Sequence, residues 1–438
     1  MNVARGSHLR AASVDGGSHM RRDGRVDGAA HLRAMRIALS IAALLLASLS
    51  IAACAETRTP APCRFADEYV LATTAPRIES LDLALEAPRS GLPQRGYVVW
   101  SAREGTYARA IAASGAPRGQ ALRLGPSCAG GVAATQTSDA NTWIACLRRG
   151  NVSKDDPGGV IVWRLANGAA QLHAQFGAAG REALGIALVA EARDLVVLWQ
   201  DATPGQVHIM RAEIPRAVAG NDARNAVPYT AAIEPRAVSV DALVGSGPAL
   251  VLHDGHAIAS WAEIGFDETG GTVGRLLVDG DRGAAAEATE LGFDLPMPHL
   301  IGNGVGGLAL AYRDTTRNRD KSGLYVVALG DRLRPMGAPR RIARANGPGG
   351  ATLTACAGSV FAVAPRTYQR DILVGITRLS ADLATRGREQ QVYEDGIAIA
   401  HAAMRCSAAG PLLVVGERGS AARPVARVRA TTLVCDDE

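Results

Sequence analysis

Seven short, strand-like segments recur along this chain, and each runs from apolar residues through an anchor position to a polar ending. A period of roughly fifty residues is typical of architectures in which every repeat packs mainly on its neighbours. The repeat therefore limits the fold more than any other feature of the sequence. The anchors are Trp100, Cys146, Trp199, Trp261, Tyr312, Ala364 and Gly416, at successive spacings of 46, 53, 62, 51, 52 and 52 residues.

Each anchor segment has one strand-like run before it and two after it, such as YARAIAAS and QALRL behind Trp100. Four short strands in each of seven periods predict an all-β chain folded as a β-propeller with seven four-stranded blades. At 438 residues the chain is too long for one ordinary core, a limit that stacked blades avoid. Large anchors, four of them Trp or Tyr, would fill the wedge between blades. A pair of β-sandwiches or an irregular all-β chain remains the alternative.

The two ends of the repeat predict how the ring closes. The last period has its second strand at 412–416 and a third run at 424–435, but no fourth strand follows. The segment at 65–73 precedes the first blade and would complete the last one, which removes two exposed sheet edges. Cys63 then starts the strand antiparallel to the one that ends at Cys435. A bridge between them would stabilise the fold by roughly 4–5 kcal/mol in the chain-entropy model.

The remaining cysteines are also expected to pair. An even number in an exported chain indicates disulfides, and no C-x-x-C or Cys/His cluster suggests a metal. Cys128 and Cys146 form a local pair across one hairpin. Cys356 and Cys406 lie at similar points of adjacent opening strands and are left as the third pair.

The N-terminal region predicts where in the cell the protein is located. From Met35 the chain reads MRIALSIAALLLASLSIAAC, in which one Arg, an apolar run and small residues lead to Cys54. The apolar run is shorter than a membrane span requires and reads as a signal segment. Its end resembles the bacterial lipobox, and this resemblance implies that Cys54 receives a diacylglycerol and becomes the mature N-terminus. Cleavage at an ordinary A-x-A site, with Cys54 unmodified, is the alternative.

Four segments follow from this interpretation. Residue Ala55 is not the Asp that favours inner-membrane retention in the resembling lipoproteins, so we expect an exported protein anchored in the outer membrane. The expected segments are a mis-called extension at 1–34, a lipoprotein signal peptide at 35–53, a short tether at 54–63 and the propeller domain at 64–438.

The net charge argues against nucleic acid as a partner. The formal charge is +5, but residues 1–53 alone carry +4. The rest of the chain has 40 basic and 39 acidic residues, so it lacks the basic excess on which nucleic-acid binding depends.

Charged side chains concentrate in the loops after the anchor strands, where 23 of 56 residues are charged. In propellers these loops share a face with the connections between blades. Mixed charge with few aromatic residues favours a protein or peptide partner there, although loops are also where solvated charges ordinarily lie. The candidate binding-face residues are Asp201, Glu263, Asp314, Glu417, Arg148, Arg149, Arg313, Arg366, Arg370 and Arg418.

Other motifs carry no chemistry. The run GNGVGG at 302–307 is followed by a strand and is expected to be a turn. The sequence His253-Asp254-Gly255-His256 predicts a type I′ hairpin rather than a metal site. We predict no catalytic residue, no metal and no cofactor, and we expect a lipid-anchored binding platform of the envelope. The alternative is a propeller-type hydrolase or lyase with catalytic groups in the charged loops.

Overall fold

The computed structural model describes most of the chain between Cys63 and Cys435. The chain divides into a unit at 1–57 and a unit at 58–438, and the description concerns the second. Cys54 and the predicted leader therefore lie outside the described residues. In the described part, no helix has the length and apolar character needed to cross a membrane. The gaps in the description are 75–76, 88–91, 151–157, 178–183, 204–205, 217–232, 240–243, 267–271, 280–285, 292–297, 303–306, 315–322, 331–332, 344–350, 369–370, 385, 393–397 and 420–424.

The described residues form β-strands joined by turns and loops. The first fourteen strands are β1 (Arg64–Thr74), β2 (Ile78–Leu85), β3 (Arg95–Ala102), β4 (Gly105–Ala112), β5 (Pro117–Gly125), β6 (Gly131–Gln136), β7 (Thr142–Arg148), β8 (Gly159–Ala166), β9 (Ala169–Phe176), β10 (Ile186–Ala190), β11 (Asp194–Thr203), β12 (Gln206–Pro215), β13 (Arg236–Ala237) and β14 (Val244–His253). The others are β15 (His256–Phe266), β16 (Thr272–Asp279), β17 (Ala286–Leu291), β18 (His299–Gly302), β19 (Leu308–Asp314), β20 (Gly323–Leu329), β21 (Arg340–Ala343), β22 (Thr352–Cys356), β23 (Ser359–Tyr368), β24 (Asp371–Ser380), β25 (Gln390–Val392), β26 (Ala398–Ser407), β27 (Gly410–Arg418) and β28 (Ala426–Val434).

These strands form a seven-bladed propeller, which confirms the predicted fold. Blades 1, 2, 5 and 6 are the sheets β2–β5, β6–β9, β18–β21 and β22–β25. Blades 3 and 4 are β10–β13 and β14–β17, linked by one parallel pair between Val207 and Val244. The longer interval before Trp261 falls between β12 and β14 in the sequence, and blades 3 and 4 keep the strand order of the repeat.

The ring closes through the N-terminal strand. Blade 7 has the order β26, β27, β28 and β1, and β1 pairs antiparallel with β28 from Arg64 opposite Val434 to Thr74 opposite Ala426. The first strand of the domain therefore completes the last blade, as predicted, and the pairing leaves no gap between the two ends of the repeat.

Three disulfides are present, with the expected pairs. Cys63 is bonded to Cys435 where β1 begins and β28 ends, across 372 residues of sequence. Cys128–Cys146 closes a short segment of blade 2. Cys356–Cys406 joins the inner strands of blades 6 and 7.

The anchors fill the wedges between blades. Trp100 packs with Leu412 and Val414 of blade 7, and Trp199 packs with residues of blade 2. Trp261 packs likewise on Leu198 of blade 3. Each anchor thus faces the preceding blade, and the three tryptophans are almost fully buried. Burial of so large a side chain contributes several kcal/mol to the stability of each blade interface.

One anchor was assigned wrongly. In blade 6 the anchor Ala364 lies five residues after Ser359, which closes the first hairpin turn. The corresponding residue of blade 7, five after Gly410, is Val415, and Val415 packs on blade 6 as an anchor should. Gly416 instead points towards Ile78 of blade 1. The run of apolar residues in LLVVG has no period of its own, so the sequence could not reveal the one-residue slip.

The turn at Asp254 and Gly255 is the predicted hairpin. Asp254 has a φ of 50° and Gly255 a φ of 82°, and His253 pairs with His256 across the turn. Positive φ at both central residues is the requirement of a type I′ turn.

Candidate functional site

The inner strands of the seven blades surround a cavity on the ring axis with a volume of about 450 Å³. The residues that line it occupy equivalent positions in the strand register of each blade. Apart from His299, the lining residues that pair within a blade do so with positions two to four residues before the anchors, so they lie in the half of each inner strand that enters the hairpin turn. The cavity therefore occupies the hairpin end of the axis and not the end that carries the charged loops.

The cavity wall combines apolar and polar surface in nearly equal measure. One level consists of residues that pair with the position two before the anchor, and their side chains pack mainly in the clusters between blades; these are Leu83, Ala134, Leu188, Leu250, Leu300 and Leu353. At the next level, Val189, Val251 and Ile301 stand on the consecutive blades 3, 4 and 5, and Thr354 and Arg405 follow on blades 6 and 7. A concave surface that joins apolar side chains to a few placed polar groups is typical of small-molecule sites.

The polar part of the wall is centred on Arg405 of β26. Its Nη2 donates to Asp82 Oδ1 over 3.2 Å, and its Nη1 donates to the Met404 carbonyl over 3.0 Å. Asp82 also accepts the backbone N–H groups of Leu83 and Ala134, each over 2.8 Å. The Arg405 side chain keeps 35% of its surface exposed, against 17% for Asp82. The carboxylate is thus fixed from three sides while the guanidinium still faces the cavity.

His299 adds an uncharged donor beside Arg405. Its Nδ1 accepts the Leu353 backbone N–H over 3.1 Å, which places the ring proton on Nε2. Burial and the nearby charge of Arg405 lower the pKa of His299 to about 3. The imidazole is therefore neutral at physiological pH, and Nε2 is a hydrogen-bond donor without a partner among the described residues.

Carboxylates do not converge at this cavity within the described part of the chain. Glu86, at the rim, accepts a hydrogen bond from Gln136 Nε2 over 3.2 Å, while Asp82 is paired with Arg405. Nor do any three His, Cys, Asp or Glu side chains of the described ranges lie where they could hold a metal ion.

Six of the ten predicted binding-face residues share one position in the strand register. Among the described blades, the residue two after the anchor is charged in blades 2 to 7 and is Ala102 in blade 1. All of these residues lie at the end of the second strand, opposite the hairpin turns. The charged ones are Arg148, Asp201, Glu263, Asp314, Arg366 and Glu417.

Two of these six residues, Glu417 and Arg366, form buried ion pairs. Glu417 accepts from Arg427 Nε over 2.7 Å and also contacts the Arg429 guanidinium. Arg366 donates through Nε to Glu389 over 3.1 Å. Each of these two charges is therefore compensated by a partner within its own blade.

The other predicted face residues are more accessible. Arg148, Arg149, Asp201, Glu263, Arg313 and Asp314 are half-buried, and Arg418 is exposed. Glu263 accepts the indole N–H of its own anchor, Trp261, over 2.7 Å. Arg370 lies outside the described residues.

A second polar group lies at the loop end of the axis. His401 of β26 is hydrogen-bonded to the Ile78 backbone, and the charges of Arg77 and Glu79 act on it. Burial is the main cause that lowers the pKa of His401. Glu79 also accepts a hydrogen bond from Ser127. A carboxylate, an imidazole and a guanidinium are therefore near one another where blades 1 and 7 begin.

These axial residues were not identified from the sequence. No acid recurs in the opening strands to single out Asp82, and His299 and His401 belong to no motif. The available signal was register: Asp82 and His299 both pair with the residue just before the anchor.

No protein-family model matches the chain, and no curated protein matches it at a significant level. Among solved structures, the fold is similar to that of a polysaccharide lyase described as an ulvan lyase, at 9% identity and a TM-score of 0.49, covering 78% of this chain and 90% of that one. It is also similar to Trypanosoma rangeli sialidase, at 10% identity and a TM-score of 0.43, covering 68% and 57%. An α-L-arabinofuranosidase from Lactobacillus brevis matches at 15% identity and a TM-score of 0.35, covering 60% and 95%. Identities this low bear on the fold alone.

Proposed function

We propose that this protein is an exported, lipid-anchored propeller that serves as a rigid binding platform at the outer membrane. The observation that carries the proposal is the shared register of charged residues at one end of the ring. Consecutive blades present Arg148, Asp201, Glu263 and Asp314 at equivalent positions, so their spacing is set by the propeller and not by loop flexibility. One basic and three acidic side chains in a row on a rigid surface favour a protein or peptide partner of complementary charge.

The disulfides support an oxidising compartment outside the cytoplasm. All six cysteines of the propeller are paired, which cytosolic proteins rarely show. Lipidation at Cys54 would hold the ring at the membrane through the tether at 54–63. The test is fractionation of cells that express the wild type or Cys54→Ala. We expect the variant to leave the membrane fraction, and an unchanged distribution would contradict the anchor.

The binding surface is tested by charge reversal at both ends of the ring. In-cell crosslinking of the wild type is expected to give defined adducts. Arg149→Glu with Arg418→Glu should abolish them, because both residues lie at the loop end. The matched control is Arg95→Glu with Arg193→Glu, two exposed arginines at the hairpin end. Equal yields of adducts from both double variants would overturn the proposal that the loop end is a binding platform.

A hydrolase or lyase is the second candidate, and the group at His401 favours it. Glu79 and His401 could act as acid and base while Arg77 binds a substrate carboxylate, which is the set that such reactions use. The assay is release of reducing ends and unsaturated products from acidic polysaccharides by the purified protein. Activity that falls in both Glu79→Gln and His401→Asn supports this candidate. Activity unchanged in both variants, or absent from the wild type, counts against it.

A further inference from the structure

The axial cavity has the properties of a ligand site that is separate from the charged loop face. Its volume of about 450 Å³ is within the range of small-molecule pockets, and all seven blades contribute to its wall. Because the cavity lies at the hairpin end, a ligand there would not contact the predicted binding-face residues. The two sites can therefore be tested independently.

The donors in the wall define what the ligand must offer. Arg405 has five N–H donors, and in the described structure two of its N–H groups are engaged, with Asp82 and the Met404 carbonyl. His299 adds the Nε2 donor, since its Nδ1 is occupied by the Leu353 N–H. Unused donors on a guanidinium and a neutral imidazole call for an acceptor, and a carboxylate matches the guanidinium best.

The remainder of the wall defines the body of the ligand. Val251 of blade 4 and Ile301 of blade 5 are only partly buried at the cavity, so an apolar part of the ligand would lie against them. Glu86 at the rim would repel a second negative charge. We propose that the axial cavity binds a small amphipathic monocarboxylate, with its carboxylate on Arg405 and its hydrocarbon body against Val251 and Ile301.

The pairing of Arg405 with Asp82 does not prevent this. Asp82 retains two backbone N–H donors, from Leu83 and Ala134, so its charge stays solvated when Arg405 shares its guanidinium with a ligand. The site is thus prepared in advance: one carboxylate holds the guanidinium in place, and the ligand supplies another acceptor.

The test is isothermal titration calorimetry of the mature chain with decanoate and, as a neutral match, decanol. We expect wild-type protein to bind decanoate more tightly than decanol. Arg405→Met should lower the affinity for decanoate by about tenfold to a hundredfold, because a charge-assisted pair is lost, and should leave the affinity for decanol unchanged. Arg334→Met, an exposed arginine outside the cavity, is the matched control and should bind as the wild type does.

A second variant covers the case in which Arg405→Met does not fold. Ala355→Leu adds bulk to the cavity wall without changing any charge, and we expect it to weaken both decanoate and decanol. Failure of the wild type to bind decanoate below its micelle concentration would overturn the proposal. Equal decanoate affinity in the wild type, Arg405→Met and Ala355→Leu would also overturn it, because binding would then be elsewhere.

Discussion

Asp82 of blade 1 and His299 of blade 5 occupy the same register position, and each accepts a backbone N–H from the inner strand of the next blade. Asp82 takes the N–H of Ala134 over 2.8 Å, and His299 takes that of Leu353 over 3.1 Å. Inner strands are not hydrogen-bonded to each other by sheet ladders, so these side chains link neighbouring blades together with other polar contacts, such as that of Gln136 with Glu86. Both links lie beside Arg405, which ties the integrity of the ring to the axial cavity.

The first prediction concerns the link made by Asp82. Asp82→Ala removes the acceptor for the Ala134 N–H and the partner of Arg405, and should lower the free energy of unfolding by about 1–3 kcal/mol. Asp82→Asn keeps one side-chain oxygen to accept the Ala134 N–H and should lower the free energy of unfolding by less. Urea denaturation followed by tryptophan fluorescence measures both. Equal losses in the two variants would mean that the backbone link contributes nothing.

The second prediction concerns pH. The pKa of His299 is about 3 in the folded protein and 6.5 without the fold, so the unfolded chain binds the extra proton between these values. This contribution to stability is complete above pH 6.5 and declines as the pH falls, with a slope of up to about 1.4 kcal/mol per pH unit. His299→Asn preserves an acceptor for the Leu353 N–H but does not titrate.

The stability of the His299→Asn variant should therefore fall less steeply than that of the wild type between pH 6.5 and the acid limit of folding. The measurement is the difference between the two unfolding free energies across that range, which cancels the contributions of other groups. Parallel profiles would show that His299 is solvated enough to titrate normally.

The third prediction compares two disulfides of very different span. Cys63–Cys435 encloses 372 residues and Cys128–Cys146 only 18. In the chain-entropy model, replacing the pair by serines should cost about 5–6 kcal/mol for the first and about 3 kcal/mol for the second. Each double variant serves as the control for the other in thermal and urea unfolding. A larger loss for Cys128–Cys146 would indicate that β1 pairing alone closes the ring.

The sequence was sufficient for the fold because a propeller repeats its signals. Anchors such as Trp199 and Trp261 mark blade interfaces, and the unpaired ends of the repeat gave both the closure and the Cys63–Cys435 bridge. The register failed at Val415, where four apolar residues in a row offered no alternation to read. That the charged residues form a binding face stays a prediction, and a sequence cannot distinguish the exposed Arg418 from the buried Glu417 one residue away.

The axial groups were beyond sequence reasoning for a different reason. Asp82 and Arg405 are 323 residues apart, and they meet only because blade 7 closes on blade 1. Neither residue belongs to a motif, and each lies in a strand whose other residues are mostly apolar. Only the three-dimensional register, which stacks equivalent positions around the axis, shows that they face one cavity.

The last prediction separates structural from binding roles among the charged residues of the loop end. Glu417 is buried against the guanidinium groups of Arg427 and Arg429, so Glu417→Ala leaves two cations with less compensation. Breaking such a pair should cost about 3 kcal/mol, since Glu68 still binds Arg429 over 2.6 Å. Arg418→Ala, next in sequence and exposed, should change stability by less than about 0.5 kcal/mol.

Crosslinking of the same two variants completes the comparison. If Glu417 is structural, the folded fraction of Glu417→Ala keeps its adducts, because the charge it removes never reached the surface. Arg418→Ala should reduce the adducts at full stability, since its side chain is exposed at the loop end. The reverse result, a stable Glu417→Ala protein without adducts, would assign the buried carboxylate to the partner and require the ion pair to open on binding.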